Sequence, residues 1–256
     1  MTQKHFAMRY FMHLAYNGTP FHGWQIQPNA DSVQQTLEYA LGKLCGEELN
    51  IVGCGRTDTG VHAKDFYAHF DTQQKFDEAQ LKQLTFKLNA FLPEEILIFG
   101  IFPVPDDLHA RFSATARTYQ YHVSEQKQPF GKEFTHRVYV PLDTDLMNTA
   151  AEMLLGEHDF TSFSKLHTQT ATNICNVTYA HWERTGDELV FTIKANRFLR
   201  NMVRAIAGTL IDVGRGKTTL DDLQRIIDSK DRCSAGTSLP AKALFLTEVE
   251  YDGAAF

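Results

Sequence analysis

Apolar residues alternate with polar ones at the start of the chain and then recur at helical spacing. Phe6, Met8, Tyr10, Met12 and Leu14 occupy every second position, which predicts a strand. The next segment predicts a helix that begins at Ser32 and whose apolar face extends to Leu44. After it, the pattern predicts a short strand at Ile51–Val52, a strand over Phe66–Phe70, a helix from Asp77 to Phe91 and a strand from Ile96 to Phe102. The first part of the chain therefore has the order β-α-β-β-α-β.

The second part of the chain repeats this order. It predicts a strand through Arg117, Tyr119, Tyr121 and Val123, a helix over Leu146–Leu154, a hairpin of Asn176–Arg184 and Glu188–Lys194, helices over Phe198–Val213 and Leu220–Ile227, and a last strand over Leu244–Val249. The repeated order predicts an α+β fold of two ferredoxin-like split-βαβ halves, with mixed, mostly antiparallel sheets and helices on one face. We expect the halves to comprise residues 1–105 and 106–256.

Composition narrows the class of protein. The chain has 256 residues, of which 43% are hydrophobic, so it can bury a sizeable core as one large domain or two ordinary ones. Its four cysteines are far apart and form no C-x-x-C pair, which argues against a zinc ribbon and a disulfide scaffold. No window approaches 18 consecutive apolar residues, so we expect no membrane span and a cytoplasmic location.

The strongest candidate for a catalytic segment is the glycine-rich run of residues 53–63, which reads GCGRTDTGVHA and follows a predicted strand. It presents one cation, Arg56, two residues from one carboxylate, Asp58. A nearby arginine favours the ionised form of an aspartate, which can then act as a nucleophile or a base. The alternative interpretation is a plain turn, in which Asp58 bonds its own backbone.

Two other interpretations of these residues are weaker. Asp58-Thr59-Gly60 also spells the D-T-G of aspartic proteases, but those enzymes pair two aspartates and this chain has one such motif. His62 and His69 are seven residues apart and His158 adjoins Asp159, spacings that match no common zinc motif. We therefore expect no metal site, and we expect the nearby Phe160, Phe163 and Trp182 to be packing residues.

Net charge is −6, which by itself argues against a polyanionic partner, but the cations are clustered. Arg197, Arg200 and Arg204 stand at i, i+3 and i+7, which predicts one basic stripe on a helix. Two smaller basic patches consist of His109 with Arg111 and Arg117, and of Lys165 with His167. We expect these side chains to contact the phosphates of a nucleic acid; the alternative is a solvated surface.

Residues 55–63 (GRTDTGVHA) resemble the catalytic signature of the tRNA pseudouridine synthase A family. Further blocks resemble the family in the same order: residues 16–18 (YNG), 21–25 (FHGWQ), 32–34 (SVQ), 109–119 (HARFSATARTY), 156 with 159–163 (G, DFTSF), 198–204 (FLRNMVR) and 244–246 (LFL). The resemblance spans nearly the whole chain.

The resemblance implies an enzyme that isomerises uridine to pseudouridine at positions 38, 39 and 40 in the anticodon stem-loop of tRNA. The uracil is detached from C1′ of the ribose and reattached through C5. The family uses no cofactor and no metal. Its members are homodimers, and one tRNA contacts both subunits.

The resemblance also implies roles for individual residues. Asp58 matches the essential aspartate, Arg204 the arginine that pairs with it, Tyr119 the tyrosine that stacks on the target base, and Arg56 a residue implicated in flipping the nucleotide out of its stem. Such flipping is required for chemistry on a base inside a helix, and an aromatic face and a cation suit it. For Tyr119, the alternative is an ordinary core aromatic.

Near the C-terminus the sequence departs from the family pattern. Leu246 matches the floor of the base pocket, but Ala243 stands where the family usually has glycine, which could shift that floor slightly. Thr59 replaces a common alanine, a change we expect to be harmless. Two other functions stay open: a catalytically silent tRNA-binding protein on the same fold, and pseudouridine synthesis on a different RNA.

Overall fold

A computed structural model describes residues 7–165 and 172–253 of the chain. Its contacts divide the chain into two compact units: a first unit of Met1–Thr115 with Thr247–Phe256, and a second unit of Ala116–Leu246. The first unit thus extends past residue 105 and includes the C-terminal end. That residues 1–105 and 106–256 form two separate halves stays a prediction.

The first unit is built from the strands and helices that the hydrophobic pattern predicts. They are β1 (Met8–Tyr16), α1 (Val33–Cys45), β2 (Ile51–Gly53), β3 (His62–Thr72), α2 (Glu78–Phe91) and β4 (Ile96–Val104). The strands lie in the order β4-β1-β3, and β2 pairs with the far part of β3. All of these ladders are antiparallel.

Strand β1 is buried on both faces at its centre. Tyr10, Met12 and Leu14 are buried as the alternation predicts, and Phe11 on the opposite face is equally buried. Phe11 packs in a small cluster with Val104 and Ala110. Phe6, the first residue of the predicted strand, lies outside the described residues.

Side-chain caps fix where both helices of this unit begin. The Ser32 hydroxyl accepts from the backbone N–H of Gln35 and starts α1. At α2, Asp77 and Gln80 form a reciprocal capping box. The predicted helix from Asp77 to Phe91 is confirmed. Phe91 is the last helical residue and is 49% exposed, because the buried face already ends at Leu88.

The second unit is larger and contains more short elements. They are β5 (Ala114–Ser124), β6 (His136–Arg137), α3 (Thr144–Glu152), β7 (Gly156–Asp159), β8 (Ile174–Thr185), β9 (Glu188–Ala195), α4 (Met202–Gly214), α5 (Leu220–Ser229) and β10 (Leu244–Tyr251), with residues of β5 and β10 at the unit boundaries. Strands β5-β9-β8-β7 are neighbours in that order, and β6 pairs with β5 in parallel. The predicted α+β class with mostly antiparallel pairing is confirmed.

Two strands of the second unit were not predicted. β6 and β7 span two and four residues, which is too short for a period-two pattern to be recognised. The predicted hairpin is confirmed as β8 and β9, with Gly186 in its turn at a φ of +60°. Phe160, Phe163 and Trp182 are buried, as expected of packing residues.

The predicted basic stripe is not a continuous helical stripe. Asn201 has a left-handed backbone (φ +67°), and α4 begins at the next residue. Arg197 and Arg200 therefore lie in the segment that precedes the helix, and only Arg204 lies within it. The apolar spacing of Phe198 suggested an earlier start, which a left-handed residue at 201 prevents.

Within the described part of the chain, no helix is long and apolar enough to cross a membrane.

The packing of α1 makes a direct prediction. Leu37 is completely buried, whereas Tyr39 on the same helix is largely exposed. We expect Leu37→Ala to lower the free energy of unfolding of the protein by about 2–5 kcal/mol, since it leaves a cavity. Tyr39→Ala should stay within about 0.5 kcal/mol of the wild type. Chemical denaturation measures both, and equal losses would contradict this assignment of the core.

Candidate active site

Asp58 lies in the loop that connects β2 to β3, where the chain makes a tight turn. The backbone N–H of Val61 donates to the carbonyl oxygen of Asp58 at 3.1 Å, and Gly60 adopts a left-handed backbone with a φ of +76°. Asp58 itself is half-buried, and the neighbouring Thr57 is buried. The turn interpretation of this segment is therefore confirmed for its backbone, which leaves open what the carboxylate does.

A second segment, residues 16–24, holds this turn on both sides of Asp58. The hydroxyls of Tyr16 and Thr57 are 2.9 Å apart in a buried hydrogen bond. The backbone N–H of Trp24 donates to the carbonyl oxygen of Thr57 at 3.2 Å, and the backbone N–H of Gly60 donates to that of Phe21 at 3.3 Å. Asp58 is thus flanked by backbone that is fixed from outside the loop.

These contacts require two glycines in the supporting segment. A Cβ atom on Gly18 would lie 2.0 Å from the carbonyl oxygen of Val61, and one on Gly23 would lie 2.5 Å from that of Thr57. Gly23 also has a φ of +92°, which other residues rarely adopt. The two backbones approach so closely that neither position has room for a side chain.

His62, at the start of β3, ties the other end of the turn to the same segment. Its side chain is buried, and its Nδ1 accepts the backbone N–H of Gly18 at 3.0 Å. Since Nδ1 is an acceptor here, the ring is neutral and carries its proton on Nε2. Among the residues described, no group of three or more His, Cys, Asp or Glu is arranged to hold a metal ion.

Aromatic side chains of residues 16–24 pack against strand β3. The Trp24 ring stacks on Phe66 of β3 with centroids 4.3 Å apart, and Tyr16 meets Phe66 edge-on at 5.4 Å. Gly53, at the end of β2, lies against the Trp24 ring, where a Cβ would come within 2.6 Å. Arg56 is exposed.

In the second unit, the candidate base-stacking residue Tyr119 lies on β5. It is half-buried, and its ring meets Phe198 edge-on at 5.2 Å. The description of an ordinary core aromatic fits Tyr121 instead, which is completely buried and donates its hydroxyl to the Pro240 carbonyl at 2.8 Å. Burial raises the pKa of Tyr121 far above its usual range, so this hydroxyl stays protonated.

Arg204 lies in the first turn of α4 and is anchored to a neighbouring segment. Its Nε donates to the carbonyl oxygen of Leu239 at 2.6 Å, and its own carbonyl oxygen accepts from the Leu239 N–H at 3.2 Å. Gly208 permits this packing, since a Cβ there would lie 2.0 Å from the Thr237 carbonyl oxygen. Leu246, expected at the pocket floor, is buried in β10, and Ala243 before it is completely buried.

Backbone and side-chain contacts bring several predicted cations of the second unit into neighbouring positions. Arg117 Nη1 donates to the carbonyl oxygen of Asn196 at 3.0 Å, next to Arg197. The Lys165 N–H donates to the carbonyl oxygen of Arg200 at 3.0 Å. His167 lies outside the described residues.

His109 and Arg111 belong to the first unit. His109 Nδ1 accepts the N–H groups of Arg111 and Phe112 at 3.0 and 3.2 Å, and Arg111 is exposed. Desolvation, with smaller contributions from nearby cations, lowers the pKa of His109. Its ring is therefore neutral near pH 7 and serves as a local backbone acceptor.

The pattern of residues along the chain predicts no specific role for the residues that support Asp58. Tyr16 and Gly18 belong to a recognised block, but their contacts with Thr57 and Val61 join positions more than forty residues apart. From its spacing alone, His69 stands out only as a candidate metal ligand. Its Nδ1 instead accepts the Ala110 N–H at 3.1 Å, and burial lowers its pKa to about 4.

Comparisons with known proteins agree with the sequence blocks. The family model described as tRNA pseudouridine synthase matches residues 150–252. The tRNA pseudouridine synthase A of Bacteroides thetaiotaomicron is 51% identical over 246 residues, covering 95% of this chain and 90% of the relative. That of Parabacteroides distasonis is 52% identical over 243 residues (95% and 96%), and that of Colwellia psychrerythraea is 39% identical over 247 residues (95% and 94%).

The close approach at Gly18 predicts a large effect of one methyl group. Gly18→Ala must displace the backbone at Val61, and we expect the free energy of unfolding to fall by about 1–3 kcal/mol. Gly55→Ala, in the loop that Gly18 packs against, is the matched control, because a Cβ there meets no atom within 4 Å. Similar stabilities for the two variants in urea denaturation would argue against this packing.

The low pKa of His69 predicts a pH dependence of stability. The unfolded chain takes up this proton below pH 6.5, whereas the folded protein does so only near pH 4. Stability should therefore fall as pH decreases through this window, by at most about 1.4 kcal/mol per pH unit. His69→Gln should flatten the slope of melting temperature against pH, and the exposed His181→Gln should not. A slope unchanged by His69→Gln would refute the assignment.

Proposed function

The chain belongs to the tRNA pseudouridine synthase A family. On that premise, we propose that it isomerises uridine to pseudouridine in tRNA, at positions 38, 39 and 40 of the anticodon stem-loop. We propose Asp58 as the essential catalytic group. The observation that carries the assignment of Asp58 is its place in a turn braced on both sides by residues 16–24.

The reaction needs no external oxidant or reductant. The N1–C1′ bond of the nucleotide breaks, a C5–C1′ bond forms, C5 loses its hydrogen as a proton and N1 gains one. The protein must hold the ribose still while the uracil turns over, and it must supply a group beside C1′. A carboxylate fixed on a rigid turn suits that task, since catalytic groups must be held within a fraction of an ångström.

The target base must first leave its stem. Flipping costs a few kcal/mol, and stacking on an aromatic face returns about 1–3 kcal/mol. We assign the stacking face to Tyr119, whose ring is half-buried, and the occupation of the vacated space to Arg56, whose side chain is exposed. Arg204 is the proposed ionic partner of Asp58, and Leu246 the proposed floor beneath the base.

The remaining predicted cations are assigned to the phosphate backbone of the tRNA. Exposed arginines and lysines neutralise phosphates and release counterions, which makes binding sensitive to salt. The group comprises Arg111, Arg117, Lys165, Arg197 and Arg200, with His109 and His167. We further propose that the enzyme is a cytoplasmic homodimer that works without a cofactor or a metal.

Tritium release from C5 tests the proposed function. A tRNA transcript labelled with [5-³H]uridine should release tritium with the wild type and none with Asp58→Ala, because the aspartate is required for the exchange at C1′. Asp58→Asn is the matched isosteric variant and should be equally inactive. Filter binding at low salt should give similar tRNA affinities for all three proteins.

Three other results of this experiment would contradict part of the proposed function. Tritium release that persists in Asp58→Ala would overturn the assignment of the catalytic residue. Binding without release from transcripts with uridine at 38, 39 or 40 would indicate the silent tRNA-binding protein. Release from a different RNA alone would retain the chemistry and reject the tRNA positions.

A further inference from the structure

The segment of residues 106–113, which we name the 106–113 corner, has its backbone fixed by hydrogen bonds at nearly every step. The His109 N–H donates to the Ser113 hydroxyl at 2.9 Å, and the Ser113 N–H donates to the His109 carbonyl oxygen, also at 2.9 Å. His109 Nδ1 accepts the N–H groups of Arg111 and Phe112. The corner is therefore rigid from within.

Side chains of the first unit's sheet fix the corner from outside as well. Arg9 forms a bidentate ion pair with Asp71 at 2.8 Å and donates from Nη1 to the Leu108 carbonyl oxygen at 3.1 Å. The Tyr251 hydroxyl donates to the Ala110 carbonyl oxygen at 2.6 Å, and Ala110 is completely buried. With His69 binding the Ala110 N–H, both backbone groups of that residue are held by side chains.

This rigid corner presents one large apolar side chain to solvent. Phe112 is 77% exposed. The His109 ring supports it on one side, with centroids 4.4 Å apart, and the Arg111 guanidinium lies 5.5 Å from its centroid. Single exposed apolar side chains are common on protein surfaces, but the backbone that carries Phe112 is fixed, so its ring is held in place before any ligand binds.

Acidic and basic side chains are mixed around the corner, so the exposed ring is its most distinctive binding feature. Asp106 and Asp107 lie close enough to interact with Arg9, and Arg9 is already paired with Asp71. Arg111 is exposed, and its guanidinium lies over the Phe112 ring. An arginine next to an aromatic ring is the pair that stacks on unpaired bases in single-stranded nucleic acids.

We propose that Phe112 is a base-stacking residue for the RNA substrate: an unpaired nucleobase of the anticodon stem-loop stacks on its exposed ring, next to the Arg111 guanidinium. This inference rests on the proposed function, since it takes tRNA as the ligand. It assigns Phe112 to substrate binding and not to the chemistry at the target uridine.

Substitution separates stacking from a structural role. Phe112→Ala should raise KM and the Kd for an anticodon stem-loop about tenfold, with little change in kcat, since one base–aromatic stack is lost. Phe112→Tyr should retain the wild-type affinity. Phe86→Ala is the control, because Phe86 is similarly exposed (74%) on α2 of the same unit. Melting temperatures should be unchanged in all three variants.

A second readout identifies the ligand. The two native tryptophans are buried, so Phe112→Trp adds an exposed fluorophore that a stacked base should quench. We expect quenching by a stem-loop with its target uridine at position 39, and its loss when one particular loop nucleotide is made abasic. Phe86→Trp should show no quenching by either RNA.

Every outcome distinguishes this inference from the proposed function. Tritium release by the wild type with an unchanged KM in Phe112→Ala overturns the stacking role alone. A change in sedimentation of Phe112→Ala without a change in Kd would show that the ring contacts a second copy of the chain instead. No release by the wild type, together with quenching of Phe112→Trp, would reject the isomerase and keep the base contact.

Discussion

The close approach of two backbone segments is the constraint on which the candidate site depends. Residues 16–24 lie so near the turn that holds Asp58 that Gly18 and Gly23 have no room for a Cβ. At this distance, main-chain hydrogen bonds from Trp24 and Gly60 cross between the segments. The turn is held by backbone on both sides, which is stiffer than support by long side chains.

Neutral histidines perform a similar task at two positions of the first unit. His62 Nδ1 accepts the Gly18 N–H, and His69 Nδ1 accepts the Ala110 N–H. Both rings are buried in β3, where an unpaired backbone N–H opposite them would be costly. Burial that lowers the pKa of His69 to about 4 keeps its acceptor nitrogen available throughout the neutral range. Strand β3 thus positions two separate loops, those of Gly18 and Ala110, by the same interaction: a neutral imidazole that accepts a backbone N–H.

The sequence predicted most of the regular elements because their apolar spacing is local. Strand β1 and helix α1 follow directly from such spacing, and Ser32 marks where α1 begins. The start of α4 could not be predicted this way, since the left-handed backbone of Asn201 has no periodic signal. The same limit applies to the site. Asp58 stands out in its motif, whereas the pairing of Tyr16 with Thr57 depends on tertiary packing.

Rigid and exposed residues are distributed according to what each step of the proposed reaction requires. Asp58 lies on a braced turn and Arg204 is anchored to Leu239, and this suits the fixed geometry that the proposed bond exchange at C1′ demands. Lys165 and Arg200 are exposed, which suits the proposed phosphate contacts, since that attraction is long-ranged and weakly directional. A net charge of −6 is compatible with the proposed RNA binding, because phosphates respond to the local distribution of cations more than to the total charge.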